Sequence, residues 1–252
     1  MNNYGSLAAL IYVTQSEESS VLRMYNWKTL IIDGDVQIYY EATTAKGEKI
    51  YAARTDEMGM TAAATLTMKL IDHFKPKYVI MPGIAAGASN DESSDSQQYG
   101  DVILADSIWN YSNGKYVPKD QGEIVFGEIG FLPRPTIIRI DPELRDIFKK
   151  AVLSDKNECY VHIGPLASGS KVVANKNILD SFVIGQFEDT QGLEMEAYGV
   201  AYAATHAVSP RPKPIIAKSI CDFADNRKSD LYQKFAAYTS CEFVKMMLEY
   251  LL

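Results

Sequence analysis

The arrangement of apolar and polar positions divides the chain into a strand-rich beginning and a longer part in which strands and helices alternate. Residues 7–13 form a short run that is apolar throughout, as expected of a buried strand. Residues 29–40 and 49–53 predict further strands, with an Asp-Gly and a Lys-Gly pair as turn residues. We therefore expect the first fifth of the chain to belong to a β-sheet.

The hydrophobic period changes near residue 60. Residues 61–74, rich in Ala, Leu and Met, predict a helix that ends before Lys75-Pro76. Residues 78–81 predict a buried strand that runs directly into the Gly-Ala segment "PGIAAGAS". Open α/β sheets bind their ligands at such strand-to-loop transitions, so this segment is a candidate site by position alone.

The rest of the chain continues the alternation of strands and helices. Asp141 as N-cap and Pro142 in the first turn predict a helix that reaches residue 152. No internal repeat or linker divides the chain, so the pattern predicts one α/β domain over residues 1–252, with a mixed central β-sheet flanked by helices. The remaining predictions are strands at 102–105, 159–163 and 214–218, helices at 178–184 and 231–251, a polar surface loop at 90–98 and an irregular stretch at 111–130.

Composition excludes several classes of function. The chain has 252 residues, 25 basic against 32 acidic, and a net charge of -7, which argues against nucleic acid as a partner. The three cysteines and three histidines follow no disulfide or zinc spacing, so we expect neither a metal nor another cofactor. No apolar run is long enough to cross a bilayer and no basic region precedes the first one, so we expect a cytoplasmic protein without membrane partners.

One strand end carries a carboxylate that could do chemistry. The segment "PIIAKSICDFADN" brings Asp222 to the point where an apolar run stops. Asp222 could cap the following turn, which is a common use of Asp. It could also be a general acid whose pKa is raised by partial burial beside Ile216, Ile220 and Phe223. The local pattern leaves both interpretations open.

Four segments in order resemble the nucleoside phosphorylase and nucleosidase superfamily, and within it the 5′-methylthioadenosine/S-adenosylhomocysteine nucleosidases. The segments read "EMGMTAAATLTMKLIDHFKPKYVIMPGIAAG", "GDVILADS", "LEMEAYGVAYAA" and "AKSICDFADN". The similarity extends from about residue 7 to the last helix. It implies a nucleoside phosphorylase-like fold and, as substrate, a small nucleoside or nucleotide.

The resemblance implies roles for four residues of two segments. The acid that matches Asp222 protonates N7 of the departing purine, and Glu196 of the "EMEA" sequence binds the ribose hydroxyls. Met195 lies against the sugar, whereas Glu194 is expected to support the site more than to touch the ligand.

The hydrolytic members also carry an acid after the first strand that activates the attacking water. Here Glu17 and Glu18 both stand in "VTQSEESSVLR", and matching residues 21–23 to the family's helix selects Glu18. The alternative is a carboxylate that only stabilises the start of a helix through the macrodipole.

Further positions of this sequence match the substrate pocket of the family, and some of them carry residues that differ from the family's usual pattern. A stacking aromatic is replaced by aliphatic residues, and the Gly-rich loop lacks the usual serine. A basic side chain at 54, 171, 227 or 228 could meet a 5′-phosphate, since some members hydrolyse adenine nucleotides, although each is also explained as a solvated surface charge. The substrate-binding residues implied here are Met58, Ile84, Ala85, Gly87, Val172, Val173, Phe223 and Tyr232.

The resemblance favours hydrolysis, with release of adenine, over phosphorolysis. Phosphorylases of the superfamily hold phosphate with arginines after the first strand and before the Gly-rich loop, and both arginines are absent here. The alternatives are a phosphorylase and a non-catalytic nucleotide sensor. A homo-oligomer, a dimer or larger, is also expected, with Trp109, Tyr111 and Tyr116 as candidate interface residues.

Overall fold

The computed structural model describes residues 4–89, 96–224 and 230–252. Its strands are β1 (Ser6–Tyr12), β2 (Lys28–Ile31), β3 (Ile38–Thr43), β4 (Lys49–Arg54), β5 (Pro76–Gly87), β6 (Val102–Asn110), β7 (Gly114–Pro118), β8 (Ile124–Phe126), β9 (Ile129–Pro133), β10 (Ile137–Arg139), β11 (Val161–Ser168), β12 (Gly192–Glu194) and β13 (Lys213–Asp222). Its α-helices are α1 (Gln15–Met24), α2 (Met60–Phe74), α3 (Pro142–Val152), α4 (Lys176–Ile178), α5 (Ala197–His206) and α6 (Gln233–Tyr250), and short helical turns follow α4 at 179–186.

A mixed sheet of ten strands forms the centre of the described structure. Its order is β10-β6-β11-β12-β5-β1-β4-β3-β2, and β13 pairs with both β5 and β6. Strands β5, β12, β11, β6 and β13 therefore close into a ring, from which β1, β4, β3 and β2 extend as an open sheet. Since β1, β5 and β13 run parallel, their carboxyl ends meet at one edge.

Two pairs of helices pack on this sheet, α1 with α6 and α2 with α5. Helix α1 begins with a capping box, in which the Thr14 hydroxyl accepts from the Glu17 amide and the Glu17 carboxylate accepts from the Thr14 amide. Asp141 caps α3 and Pro142 occupies its first turn, as predicted. In the described parts of the chain, no helix is both long and apolar enough to cross a bilayer.

Two regions differ from the sequence prediction. Strand β5 does not end at residue 81 but continues through the Gly-Ala segment to Gly87, because Ile84 and Ala85 pair with β13 and Gly87 pairs with β12. The stretch 111–130, predicted to be irregular, contains most of a second, three-stranded sheet of order β7-β9-β8. The backbones of Gly122 and Gly130 pass so close that a Cβ on either would overlap the other.

Most of the predicted elements are found with shifted bounds. The first apolar run is β1, which is buried throughout, and the helix predicted at 61–74 is α2. The helix predicted at 178–184 is a succession of short turns instead of one regular helix. Of the predicted surface loop at 90–98, residues 90–95 lie outside the described residues.

Candidate active site

A pocket lies at the edge where β1, β5 and β13 end. The structure brings nine of the residues selected from the sequence to its lining, and these are Met58, Ile84, Ala85, Val172, Val173, Glu194, Met195, Glu196 and Asp222. Glu17 and Lys171, both weighed from the sequence as candidates, also line it. The lining residues not selected from the sequence are Val13, Thr14, Ala86, Leu193, Cys221 and Gln233. Their positions in the sequence could have indicated them, since each is near a selected residue or at the end of a strand.

A larger groove, of about 740 Å³, runs along α6 and residues 155–160. Among the described residues, none of those selected from the sequence lines it. The acids that line the groove are not buried, whereas the four carboxyl side chains of the smaller pocket all are, so the smaller pocket is the better candidate site.

Three of the selected residues lie just outside the pocket lining. Gly87 is packed against the ring of Phe223 and the amide oxygen of Gln97, each 2.8 Å from where its Cβ would be. Phe223 is buried and meets the ring of Tyr99 edge-on, and Tyr232 stacks on Tyr99 with ring centroids 4.1 Å apart. Gly87 and Phe223 thus pack against each other beside the pocket, and Tyr232 is connected to Phe223 through Tyr99.

The structure places Glu17, not Glu18, in the pocket. The carboxylate of Glu18 points away and forms an ion pair of 3.0 Å with Arg54. Glu17 is buried, and its carboxylate accepts hydrogen bonds from the amides of Val13, Thr14 and Ile84. The pocket lining therefore favours Glu17 over Glu18, which was selected by matching residues 21–23 and not from the side of α1 that meets β5.

Asp222 ends β13 as predicted and is buried, 4% exposed. Its Oδ1 accepts a hydrogen bond of 2.8 Å from the amide of Ala224, and the Cys221 thiol lies 3.5 Å from its Oδ2. Ala224 has a φ of 52°, in the left-handed region that non-glycine residues seldom adopt. Asp222 thus does cap a tight turn, and it also lines the pocket.

Glu194 supports the start of α5. Its carboxylate accepts from the amides of Glu196 and Ala197 at 2.9 Å and from the Ser168 hydroxyl at 2.5 Å. These amides would otherwise lack partners at the helix N-terminus. Glu194 therefore lines the pocket while its oxygens are occupied by the protein.

Glu196 occupies a different environment two residues later. Its Oε1 accepts a hydrogen bond of 2.7 Å from the amide of Gly59, which precedes α2. Burial, with the nearby charge of Glu194, raises the pKa of Glu196 from 4.5 to about 7, although Lys218 and the Gly59 amide act in the opposite direction. A carboxyl group so poised can accept hydrogen bonds from a ligand's hydroxyl groups.

Lys218 lies behind the acids, fully buried in β13. Its Nζ is 3.8 Å from Glu17 and 3.7 Å from Glu194. Burial alone would lower the pKa of Lys218, but Glu17, Glu194 and Glu196 outweigh this and hold the pKa above its ordinary value. The ammonium therefore remains charged and offsets part of the negative charge of the site. Lys218 was not selected from the sequence, although a lysine within an otherwise apolar strand could have indicated a buried charge.

The basic and aromatic candidates are also placed by the structure. Arg54 is engaged with Glu18 and with the Val13 carbonyl, whereas Lys171 lines the pocket. The other two basic candidates, at 227 and 228, lie outside the described residues. Trp109 and Tyr111 are buried, so within this chain they are core residues and not an exposed interface.

A family model described as the phosphorylase superfamily matches residues 34–251. The chain belongs to this superfamily. It is 26% identical over 235 residues to a 5′-methylthioadenosine/S-adenosylhomocysteine nucleosidase from Exiguobacterium, with 92% of each chain covered. It is 32% identical over 235 residues to the uncharacterized protein y4jS of Sinorhizobium fredii, covering 85% of this chain and 54% of that protein.

Similarity within the superfamily extends to longer proteins and to solved structures. The chain spans about half of y4jS and 37% of an Escherichia coli ATP nucleosidase, Cap17. The crystal structure of the Neisseria meningitidis 5′-methylthioadenosine/S-adenosylhomocysteine nucleosidase with methylthio-immucillin-A shares the fold, with a TM-score of 0.77 and 22% identity over 98% of this chain and 100% of that one. The predicted superfamily and its α/β fold with a mixed sheet are therefore confirmed.

Proposed function

We propose that this protein hydrolyses the N-glycosidic bond of an adenine nucleoside or nucleotide and releases adenine. The observation that carries the proposal is the convergence of Asp222, Glu17 and Glu196 in one pocket at the edge of the sheet. Relatives named as nucleosidases for methylthioadenosine, adenosylhomocysteine and ATP support the same bond as the target.

Asp222 is the proposed general acid. As the bond between the sugar and the base breaks, positive charge grows on the sugar and negative charge on the base. A proton delivered to N7 of the purine lets adenine leave as a neutral molecule. General acid catalysis of this kind contributes about 10²- to 10⁴-fold to the rate.

Glu17 is the proposed base that activates water. Its buried carboxylate is fixed by three backbone amides, so its position is set before substrate binds. A water molecule beside Glu17 could attack the cationic sugar carbon as its proton passes to the carboxylate. This assignment replaces Glu18.

Glu196 is the proposed ligand of the ribose hydroxyls, with Met195 beside the sugar. The carboxylate also stabilises positive charge on the sugar in the transition state. Val172 and Val173, with Ile84 and Ala85, would contact the base through aliphatic groups.

The charges of the pocket favour water over phosphate as the nucleophile. Its described lining contains Glu17, Glu194, Glu196 and Asp222, against Lys171 as the basic side chain. A phosphate dianion would be repelled by these carboxylates, and the lining within residues 4–89, 96–224 and 230–252 holds no arginine to compensate.

A substrate panel tests the proposal. Methylthioadenosine, adenosylhomocysteine, AMP and ATP are incubated with the protein, with and without phosphate, and free adenine is measured. We expect adenine from at least one compound without phosphate, and loss of this activity in Asp222→Asn but not in the surface control Asp180→Asn. Release of adenine from none of them would refute the proposal, and strict dependence on phosphate with formation of ribose 1-phosphate would identify a phosphorylase.

The homo-oligomer and the cytoplasmic location stay predictions beside this proposal. Light scattering of the purified protein measures the first, and fractionation of the source cells measures the second.

A further inference from the structure

Tyr111 lies directly behind one wall of the pocket. The wall consists of Lys171, Val172 and Val173. The phenol oxygen of Tyr111 donates a hydrogen bond of 3.2 Å to the carbonyl oxygen of Lys171, and its backbone amide donates to the Ser168 carbonyl at 3.1 Å. One residue thus holds the chain both where β11 ends and where the wall begins.

The ring of Tyr111 also determines the path of the chain between these two points. A Cβ placed on Gly169 would lie 2.0 Å from Cζ of Tyr111, so the chain can pass the ring only at a glycine. The opposite side of Tyr111 is held as well, because Phe182 meets its ring edge-on and Gln186 donates to its carbonyl at 3.1 Å. The ring is therefore fixed between the helical turns at 179–186 and the wall.

Because the side chains of the wall that would meet a base are aliphatic, the position of the wall determines how well it can bind that base. Val173 is buried, whereas Val172 is 58% exposed, and both are aliphatic. Their side chains offer a flat base neither ring stacking nor a hydrogen bond, so they act through short-range contact. A gap of about 0.5 to 1 Å removes roughly a quarter to a half of the energy of such contact. The wall can therefore bind a base well only if its backbone is held in place.

We propose that Tyr111 is a positioning residue for the purine, because its hydroxyl holds the Lys171 carbonyl and its ring holds Gly169, so that Val172 and Val173 meet the face of the base. The inference rests on the proposed function in taking the occupant of the pocket to be a purine.

Tyr111→Phe tests this proposal, since it keeps the ring and removes the hydrogen bond to Lys171. Adenine binding is measured by calorimetry, and KM and kcat with the best substrate of the panel. We expect Kd for adenine and KM to rise about three- to tenfold, as loss of one hydrogen bond allows, with kcat within about twofold of wild type. Tyr116→Phe, at a tyrosine that is 67% exposed on the small sheet, is the matched control and should change neither constant.

A second variant and a direct readout complete the test. Gly169→Ala keeps the hydroxyl but displaces the ring, and should weaken adenine binding more than Tyr111→Phe does. In wild-type protein with labelled valine methyl groups, adenine should shift the NMR signals of Val172 and Val173.

Three results would overturn the inference: unchanged Kd and KM in Tyr111→Phe, a fall in kcat alone, or wild-type valine signals that do not respond to adenine. Failure of the proposed function looks different. In that case adenine binds and Tyr111→Phe weakens it, but no substrate of the panel is hydrolysed.

Discussion

The ammonium of Lys218 lies 3.8 Å from the carboxylate of Glu17, and both side chains are buried. The same ammonium is 3.7 Å from Glu194, so one cation on β13 faces acids from the start of α1 and the end of β12. This relationship explains how the fold accommodates several carboxylates at the edge of its core. Burial of unpaired charges is costly, whereas a shared counter-charge and backbone amides reduce the cost.

Removal of this cation should destabilise the protein. Lys218→Met leaves Glu17 and Glu194 without a counter-charge, and we expect the free energy of unfolding to fall by about 3 to 5 kcal/mol near neutral pH. Denaturant unfolding at several pH values measures this, with Lys218→Arg as the control that keeps the charge. A Met variant as stable as wild type at every pH would contradict the role assigned to Lys218.

Variants of Glu17 and Glu18 test which of the two carboxylates activates the attacking water. Glu17→Gln should lower kcat by about 10²- to 10⁴-fold, because an amide cannot accept the proton of the attacking water. Glu18→Gln, which removes only an exposed ion pair with Arg54, should stay within about threefold of wild type. Steady-state kinetics measure kcat for both variants, and their melting temperatures show whether each is folded. The reverse order of effects would restore Glu18 as the base.

The raised pKa of Glu196 predicts how stability varies with pH. The folded protein keeps this proton up to about 7, whereas the unfolded chain loses it near 4.5. Between these values the native state binds more protons, so this residue's contribution to stability falls as pH rises and is fully lost above the folded pKa.

Glu196→Gln should remove this dependence. The variant should melt at a higher temperature than wild type at about pH 8 and at a similar temperature at about pH 4, where Glu196 is neutral in both states. Thermal melts across this range measure the difference, with Glu188→Gln, at an exposed acid, as control. If the wild-type and variant curves stay parallel, Glu196 ionises at its ordinary pKa.

Val172 can be used to test the aliphatic wall. Val172→Phe places a ring at an exposed position of the pocket lining, where it can stack on a purine. Aromatic pairs contribute about 0.5 to 1.5 kcal/mol, so we expect KM to fall by about two- to tenfold. Val208→Phe, 85% exposed beyond the end of α5 and outside the pocket lining, is the control. Equal KM values for Val172→Phe and wild type would show that the base does not meet this wall.

Much of the fold followed from local signals. The apolar run of β1, the Asp141 cap with Pro142, and the helix that ends at Lys75-Pro76 each depend on neighbours in sequence, so the pattern alone determined them. The small sheet of β7, β8 and β9 did not follow, because strands of three to five residues are too short to show a period and are defined by pairing with one another.

The sequence by itself determined that Asp222 stands at the end of a buried strand, and its resemblance to a family pointed to Glu196 and to an acid after β1; β12, which carries Glu194, was not predicted. Only the tertiary structure decided that Glu17 and not Glu18 enters the pocket, whereas Glu194 and Glu196 both line it. Consecutive residues of a helix point about 100° apart. Whether Glu17 or Glu18 faces the site therefore depends on where β5 and Lys218 pack against α1. Glu194 and Glu196 both line the pocket but differ in their partners, because the amides at the start of α5 occupy Glu194, whereas Glu196 accepts from the amide of Gly59.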